Sequence, residues 1–175
     1  YKMLTLKRNN ELFANLKTAG VAALKVSRRN KKLVPNKKTA FVIWNLPAVI
    51  TCPYATPLCL KYCYARKAEQ FYPTCLPSRM AHFEESRRAD FIPRMVYTIL
   101  KARKYSRAEN LVVRIHESGD FYSKEYADAW RTIAETVKGE KITFIAYTKS
   151  FEFFDGVALP ENFKLRASVW SDTTP

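Results

Sequence analysis

All four cysteines of this chain, Cys52, Cys59, Cys63 and Cys75, fall within 24 residues, in the spacing C-x6-C-x3-C-x11-C. Thiols grouped in this way can hold a metal, pair as disulfides or stand free. Zinc knuckles favour C-x2–4-C pairs, and the Cys59/Cys63 pair comes nearest to that pattern. An iron–sulfur cluster takes thiolates as its usual ligands and tolerates wider spacing, being larger than a single ion. Pro53 and Pro57 stiffen the loop and lower the entropy cost of bringing three thiolates together. The spacing alone leaves all three outcomes open.

A second group of reactive side chains follows the apolar run Leu111–Ile115, in the stretch His116-Glu117-Ser118-Gly119-Asp120. Strict alternation along a strand would put Arg114 and His116 on one face, with Val113 and Ile115 on the other. His116 could then donate a proton, ligate a metal or hydrogen-bond a cluster sulfide. Asp120 could orient Arg114 or a substrate, or simply pair with Arg114 while Ser118-Gly119 builds the turn. Tyr147-Thr148-Lys149-Ser150 ends the next apolar run, with Lys149 either a functional cation or a surface lysine. His116, Asp120 and Lys149 are the catalytic candidates; Arg114, Ser118 and Tyr147 are the candidate cofactor contacts. An unidentified small molecule would be the substrate at such a mouth. Tyr62, Tyr64, Phe121 and Tyr122 are expected to shield the site, with base stacking as the alternative. His82 reads as a surface or packing residue.

These groups must be carried by regular elements. Apolar runs predict strands over 40–46, 111–115, 141–147 and 164–169. Periodicity predicts helices over 10–27 (interrupted near Gly20), 61–71, 77–88 capped by Ser78, 91–104 capped by Asp90, and 124–138 capped by Ser123 and stopped by Gly139. Strands alternating with helices imply a parallel α/β sheet whose functional groups gather at the strand C-termini. Four strands predict a partial (β/α) barrel or an open, mostly parallel sheet in a single domain. Cys52, His116, Lys149, Ser168 and Asp172 would then share one edge.

Charge divides the chain at about residue 38. Residues 1–40 hold eleven Lys and Arg against Glu11 alone, out of a net charge of +14 for the whole chain. We therefore read 1–38 as a basic helix and connector, and 39–175 as the α/β metal-binding part. The basic part could contact nucleic-acid phosphates, or merely form a solvated face. No run reaches the ~18 apolar residues of a membrane span, and no signal-peptide core is present, so a cytoplasmic location with reduced thiols is expected. The chain opens on Tyr1 and closes on Ser171-Asp172-Thr173-Thr174-Pro175, which suggests a trimmed sequence. No nucleophile elbow, phosphate-cradling glycine loop or H-x-E…C-x2-C deaminase pattern occurs.

The run NLPAVITCP…C…CYA, then VVRIHESGDFYSKEYADAW and FIAYTKS, resembles the bacteriophage gene product 88 family over about residues 36–170. That resemblance implies a phage or mobile-element protein in a bacterial host, a fold similar to radical S-adenosylmethionine barrels, and a cluster, foremost four-iron four-sulfur. Cys52, Cys59 and Cys63 match the cysteines of the family pattern. Cys75 would either complete an all-thiolate site or leave an iron open to substrate, S-adenosylmethionine or sulfur. The spacing departs from the C-x3-C-x2-C of radical enzymes, and no Gly-Gly-Glu follows the second strand. Two functions are consistent with these residues. One is an iron–sulfur protein with redox or sulfur-related chemistry; the other is a zinc-stabilised module gripping nucleic acid through residues 1–38.

Overall fold

The computed structural model describes residues 2–139 and 141–173, with side chains described from residue 6 onward. Lys2 of the basic segment, and Thr174 and Pro175 of the final stretch, therefore contribute no side-chain observation.

Four strands form one sheet in sequence order: β1 (Thr39–Trp44), β2 (Asn110–Ile115), β3 (Ile142–Thr148) and β4 (Phe163–Ala167). Every neighbouring pair is parallel. Their β-branched and aromatic residues suit a pleated surface buried on one face. The helices are α1 (Lys2–Thr18), α2 (Pro57–Tyr62), α3 (Tyr64–Phe71), α4 (Cys75–Ser86), α5 (Phe91–Tyr105) and α6 (Lys124–Thr136). A short 3-10 turn spans Phe151–Phe154. β1 and β4 are the two edges, so the sheet is open and no closed barrel forms among the described residues.

One face of the sheet carries the core. Val42, Trp44, Leu111, Val113, Ile115, Phe144 and Ala146 are buried against Met95, Ile99, Trp130 and Ile133 of α5 and α6. Phe13 and Leu24 of the basic segment join the same core, and Phe13 stacks on Tyr97 at 5.2 Å between ring centroids. On the opposite face the register sets Ile43, Arg114, Ile145 and Lys164 in one row, with Tyr147 beside Arg166 in the next. Ser27 pairs antiparallel with Ile43 on the outer edge of β1.

Several boundaries differ from the sequence expectation. The first helix covers 2–18 and stops before Gly20, whose φ of +71° only glycine adopts cheaply. The helix expected over 61–71 is two helices broken at Cys63, whose extended ψ of 103° cannot continue a helical turn. Ser78 lies inside α4, which starts at Cys75 after Thr74. Asp90 precedes α5 without a side-chain cap bond, because its carboxylate is held by Arg88 at 2.9 Å. Ser123 caps α6 as expected, accepting from the Tyr126 amide at 3.2 Å.

Among the described residues no helix is long and apolar enough to cross a membrane.

Candidate functional site

The cysteine loop leaves the C-terminal end of β1 and is clamped to the turn after β2. The Leu46 amide donates to the Ser118 carbonyl at 2.9 Å, and the Ser118 hydroxyl returns a bond to the Leu46 carbonyl at 2.8 Å. The Glu117 amide donates to Asn45 Oδ1 at 2.7 Å, and the Asp120 amide to the Thr51 carbonyl at 3.1 Å. Gly119 closes this clamp. At its φ of +81° an added Cβ would lie 2.6 Å from both Leu46 Cβ and Thr51 Oγ1. Ser118 is buried, with its hydroxyl committed to this clamp.

Beyond the clamp, two short helices carry the next two thiols. Thr56 caps α2 through the Cys59 amide at 3.3 Å, with Pro57 opening the helix. Cys63 sits between α2 and α3, where its sulfur accepts from the Arg66 amide at 3.4 Å. Cys52, Cys59 and Cys63 are half-buried and none is paired in a disulfide. Burial pushes the Cys52 thiol up to about 12, and the charges of Asp120, Cys59 and Cys63 add to this. Cys59 is raised by burial and by Cys63, while Lys149 works against the shift. The three thiols thus lie within each other's electrostatic reach. Cys75 does not belong to this loop: it opens α4, beyond α3, with its amide bonded to the Tyr72 carbonyl at 2.9 Å.

Among the described residues, no three His, Cys, Asp or Glu side chains are gathered so as to hold a metal ion. In kind the donors fit a thiolate-held group: three thiols from one stiffened loop, none committed to a disulfide.

The strand ends divide the remaining candidates. Asp120 is buried, and its carboxylate accepts from Thr148 Oγ1 and from the Phe121 and Lys149 amides, both at 2.8 Å. Burial raises its carboxyl above the ordinary value in spite of these donors. Asp120 therefore ties β2 to β3, and its described bonds include none to Arg114. Lys149 is buried, with Nζ donating to the Ser168 carbonyl at 2.7 Å and to Ser168 Oγ at 3.0 Å. Arg114 lies over the Tyr147 ring at 4.5 Å, on the face away from the helices, and its buried Nη1 has no hydrogen-bond partner. Asp172 reaches back to α2, accepting from the Leu58 amide at 2.8 Å.

His116 departs from the expected face. Its φ of +59° breaks the strand alternation, so the ring turns into the helical layer while Arg114 faces the other way. There it packs edge-on to Phe121 and bonds Tyr126 Oη at 2.9 Å, and Nδ1 is buried without a partner. Burial pushes its pKa down to about 3, with the Arg114 charge acting in the same direction. His82 is a packing residue, stacked on Trp44 at 4.0 Å and bonded to the Asn45 and Lys25 carbonyls.

Of the aromatics expected to shield the site, Phe121 is fully buried and Tyr122 stacks on Tyr126. Tyr62 and Tyr64 are instead 53% and 68% exposed. Tyr62 stacks on Trp170, a residue that the sequence did not single out because it follows β4 in an irregular segment.

Comparison with known proteins places these residues in context. The sequence pattern of the family described as Gene product 88 matches residues 14–174. A "Gene 88 protein" of Mycobacterium phage L5 is 32% identical over 105 residues, which is 57% of this chain and 43% of that protein. A "Gene 88 protein" of Mycobacterium phage D29 is 31% identical over 105 residues, covering 57% and 42%. The matched region spans less than half the length of these relatives. No solved structure matches.

Proposed function

Because the chain belongs to the Gene product 88 family of bacteriophage proteins, we propose on that footing that it binds an iron–sulfur cluster through Cys52, Cys59 and Cys63. The observation that carries this reading is the arrangement of the three thiols. They come from one short segment, Cys52 in its proline-stiffened loop, Cys59 in α2 and Cys63 between α2 and α3, lie beyond the C-terminal end of β1 and influence one another's ionisation. A cluster is wider than one ion, so its thiolates stand farther apart than the ligands of a tetrahedral zinc.

When bound, the cluster would supply redox chemistry or sulfur exchange at that edge. The chain's own residues would set its surroundings. Lys149 places a positive charge near Cys59 and favours its thiolate. Arg114 sets a guanidinium over Tyr147 on the open face, with Nη1 buried and unpaired beneath it, and its charge would favour the carboxylate of a small-molecule substrate or of the S-adenosylmethionine carried by the resemblance. Catalysis by His116 would need its ring to leave the helical layer. Asp120 and Ser118 serve by holding the loop. Cys75 stays outside the ligand set.

Single Cys→Ser variants test the ligand assignment. Cys52→Ser, Cys59→Ser and Cys63→Ser should each lower iron content after anaerobic reconstitution, while Cys75→Ser should retain it. Equal loss in all four would make Cys75 a ligand, and loss in none would remove the proposal.

A second reading is a zinc-stabilised nucleic-acid module. It draws on one observation: the ten described cations between Lys7 and Lys38 are exposed, while Phe13 and Leu24 of the same segment are buried. Removal of those charges should then abolish salt-sensitive binding of nucleic acid.

A further inference from the structure

Three cations lie against three aromatic rings around the thiol loop. Lys61 Nζ is 5.4 Å from the Tyr62 ring, Lys149 Nζ is 5.9 Å from Trp170, and the Arg114 guanidinium is 4.5 Å from Tyr147. The Tyr62 and Trp170 rings are themselves nearly parallel, 9° apart with centroids at 6.2 Å. These rings remain open to solvent: Tyr62 is 53% exposed, Tyr147 45% and Trp170 38%. Contiguous exposed apolar surface rimmed by polar groups, as the Tyr62–Trp170 pair presents beside Lys61 and Lys149, is a mark of an interaction site.

Charge continues away from the mouth along the open face of the sheet. Lys164 shares a row with Arg114, Arg166 stands beside Tyr147, and both are exposed. Of the nearby carboxylates, Asp120 is engaged by Thr148 and the Lys149 amide, and Asp172 accepts from the Leu58 amide through Oδ2 while its Oδ1 is buried without a partner. Arg114 Nη1 is buried beneath this surface with no acceptor.

We infer that this rim binds single-stranded nucleic acid, bases stacking on the aromatic rings and phosphates meeting the cations. Exposed rings alternating with cations are what a sequence-tolerant single-strand surface requires, since every base offers a π-face and every linkage a negative charge. A duplex hides its base faces, and an acidic peptide has no use for the rings. As a statement about the substrate of the thiol site, this inference rests on the reading above; as a binding surface it stands without the cluster.

Fluorescence anisotropy with labelled oligo-thymidine and oligo-uridine of about 12 nucleotides tests it on the full chain, metal-free and iron-loaded. Both single strands should bind, more weakly as salt rises, and a duplex of equal length or a poly-glutamate peptide should bind less tightly. The Tyr62→Ala/Trp170→Ala double variant, with its fold checked by circular dichroism, should weaken binding roughly tenfold or more. Lys61→Gln/Lys164→Gln/Arg166→Gln should flatten the salt dependence, by about 0.7 in logarithmic slope for each phosphate no longer neutralised. Lys7→Gln/Lys17→Gln/Lys32→Gln should have the smaller effect. Preference for thymidine or uridine distinguishes DNA from RNA as the source.

Absence of single-strand binding overturns the inference. So does duplex or peptide bound as tightly, or loss through the Lys7 set with the rim variants unaffected. Iron bound without single strands defeats this inference alone, and single strands bound without iron defeat the cluster alone.

Discussion

The Asp120 amide donates to the Thr51 carbonyl at 3.1 Å, joining the turn after β2 to the residue before Cys52. Through this bond and the Leu46–Ser118 pair, the HESGD stretch acts on the cysteine loop as a clamp. The side chain of Asp120 completes the arrangement by holding Thr148 and the Lys149 amide at the end of β3. Three strand ends are thereby fixed relative to the thiols.

Gly119 should be the least replaceable residue of that clamp. Gly119→Ala meets Leu46 and Thr51 at 2.6 Å and also keeps a positive φ. Its cost should be about 3 kcal/mol or more, from a left-handed backbone at about 1–2 kcal/mol and overpacking at about 1–3 kcal/mol. Gly20→Ala shares the positive φ but has nothing within 4 Å, so it should cost only about 1–2 kcal/mol. Urea unfolding of the two variants makes the comparison, and equal losses would contradict the clamp.

A second fixture holds α3 to α4. Arg79 and Glu69 pair at 2.8 Å with 12% and 9% side-chain exposure, and Glu69 also accepts from the Ala48 amide. Glu69→Ala strips a largely buried guanidinium of its counter-charge, leaving it only the Ala65 carbonyl, and leaves the Ala48 amide without its acceptor, so unfolding should become easier by about 3 kcal/mol. Glu84→Ala, which breaks the exposed pair with Arg87, should change stability by less than about 1 kcal/mol.

His116 makes stability depend on pH. The native state keeps its ring neutral down to about pH 3, whereas the unfolded chain takes up the proton near the ordinary value of 6.5. Its contribution is therefore complete above that ordinary value and lost as the pH falls from there toward 3, by up to about 1.4 kcal/mol per pH unit. His82, also pushed down by burial, adds to the same slope. Asp120, whose carboxyl is raised, acts in the opposite sense toward the acid end. His116→Asn suits the positive φ and should flatten the slope in urea titrations between about pH 5 and 7. An unchanged slope would count against the assignment.

Cys52 makes metal binding depend on pH as well. Its thiol is protonated at neutral pH, so any metal it takes must displace a proton. Displacing that one proton should contribute up to about tenfold per pH unit to the apparent iron affinity through the neutral range. A Cys52→Ser variant should show a shallower dependence in competition with a chelator, and an identical one would argue against Cys52 as a ligand.

Much of this architecture was legible in the residues. Each short apolar, β-branched run became a parallel strand, and the stripe carried by Tyr126, Trp130 and Ile133 became the buried side of α6. The three-thiol loop was visible because prolines and cysteines punctuate it. What was hidden depends on backbone and tertiary context. Alternation assumes an extended chain, and the positive φ at His116 ended it one residue past β2. Cys63 lies in a helix-compatible run, yet it became a cap because its sulfur competes for the Arg66 amide. Asp90 resembles a cap in sequence, but Arg88 claims its carboxylate. Trp170 carried no pattern at all, and tertiary contacts with Tyr62 and Lys149 bring it to the site.

The most direct test of the cluster is the iron and acid-labile sulfide content of the anaerobically purified chain, read together with its visible spectrum. A brown protein with iron and sulfide in equal amounts, both lost in Cys59→Ser, is the predicted result. A colourless protein that carries one zinc per chain, or that takes up no iron on reconstitution, would contradict it.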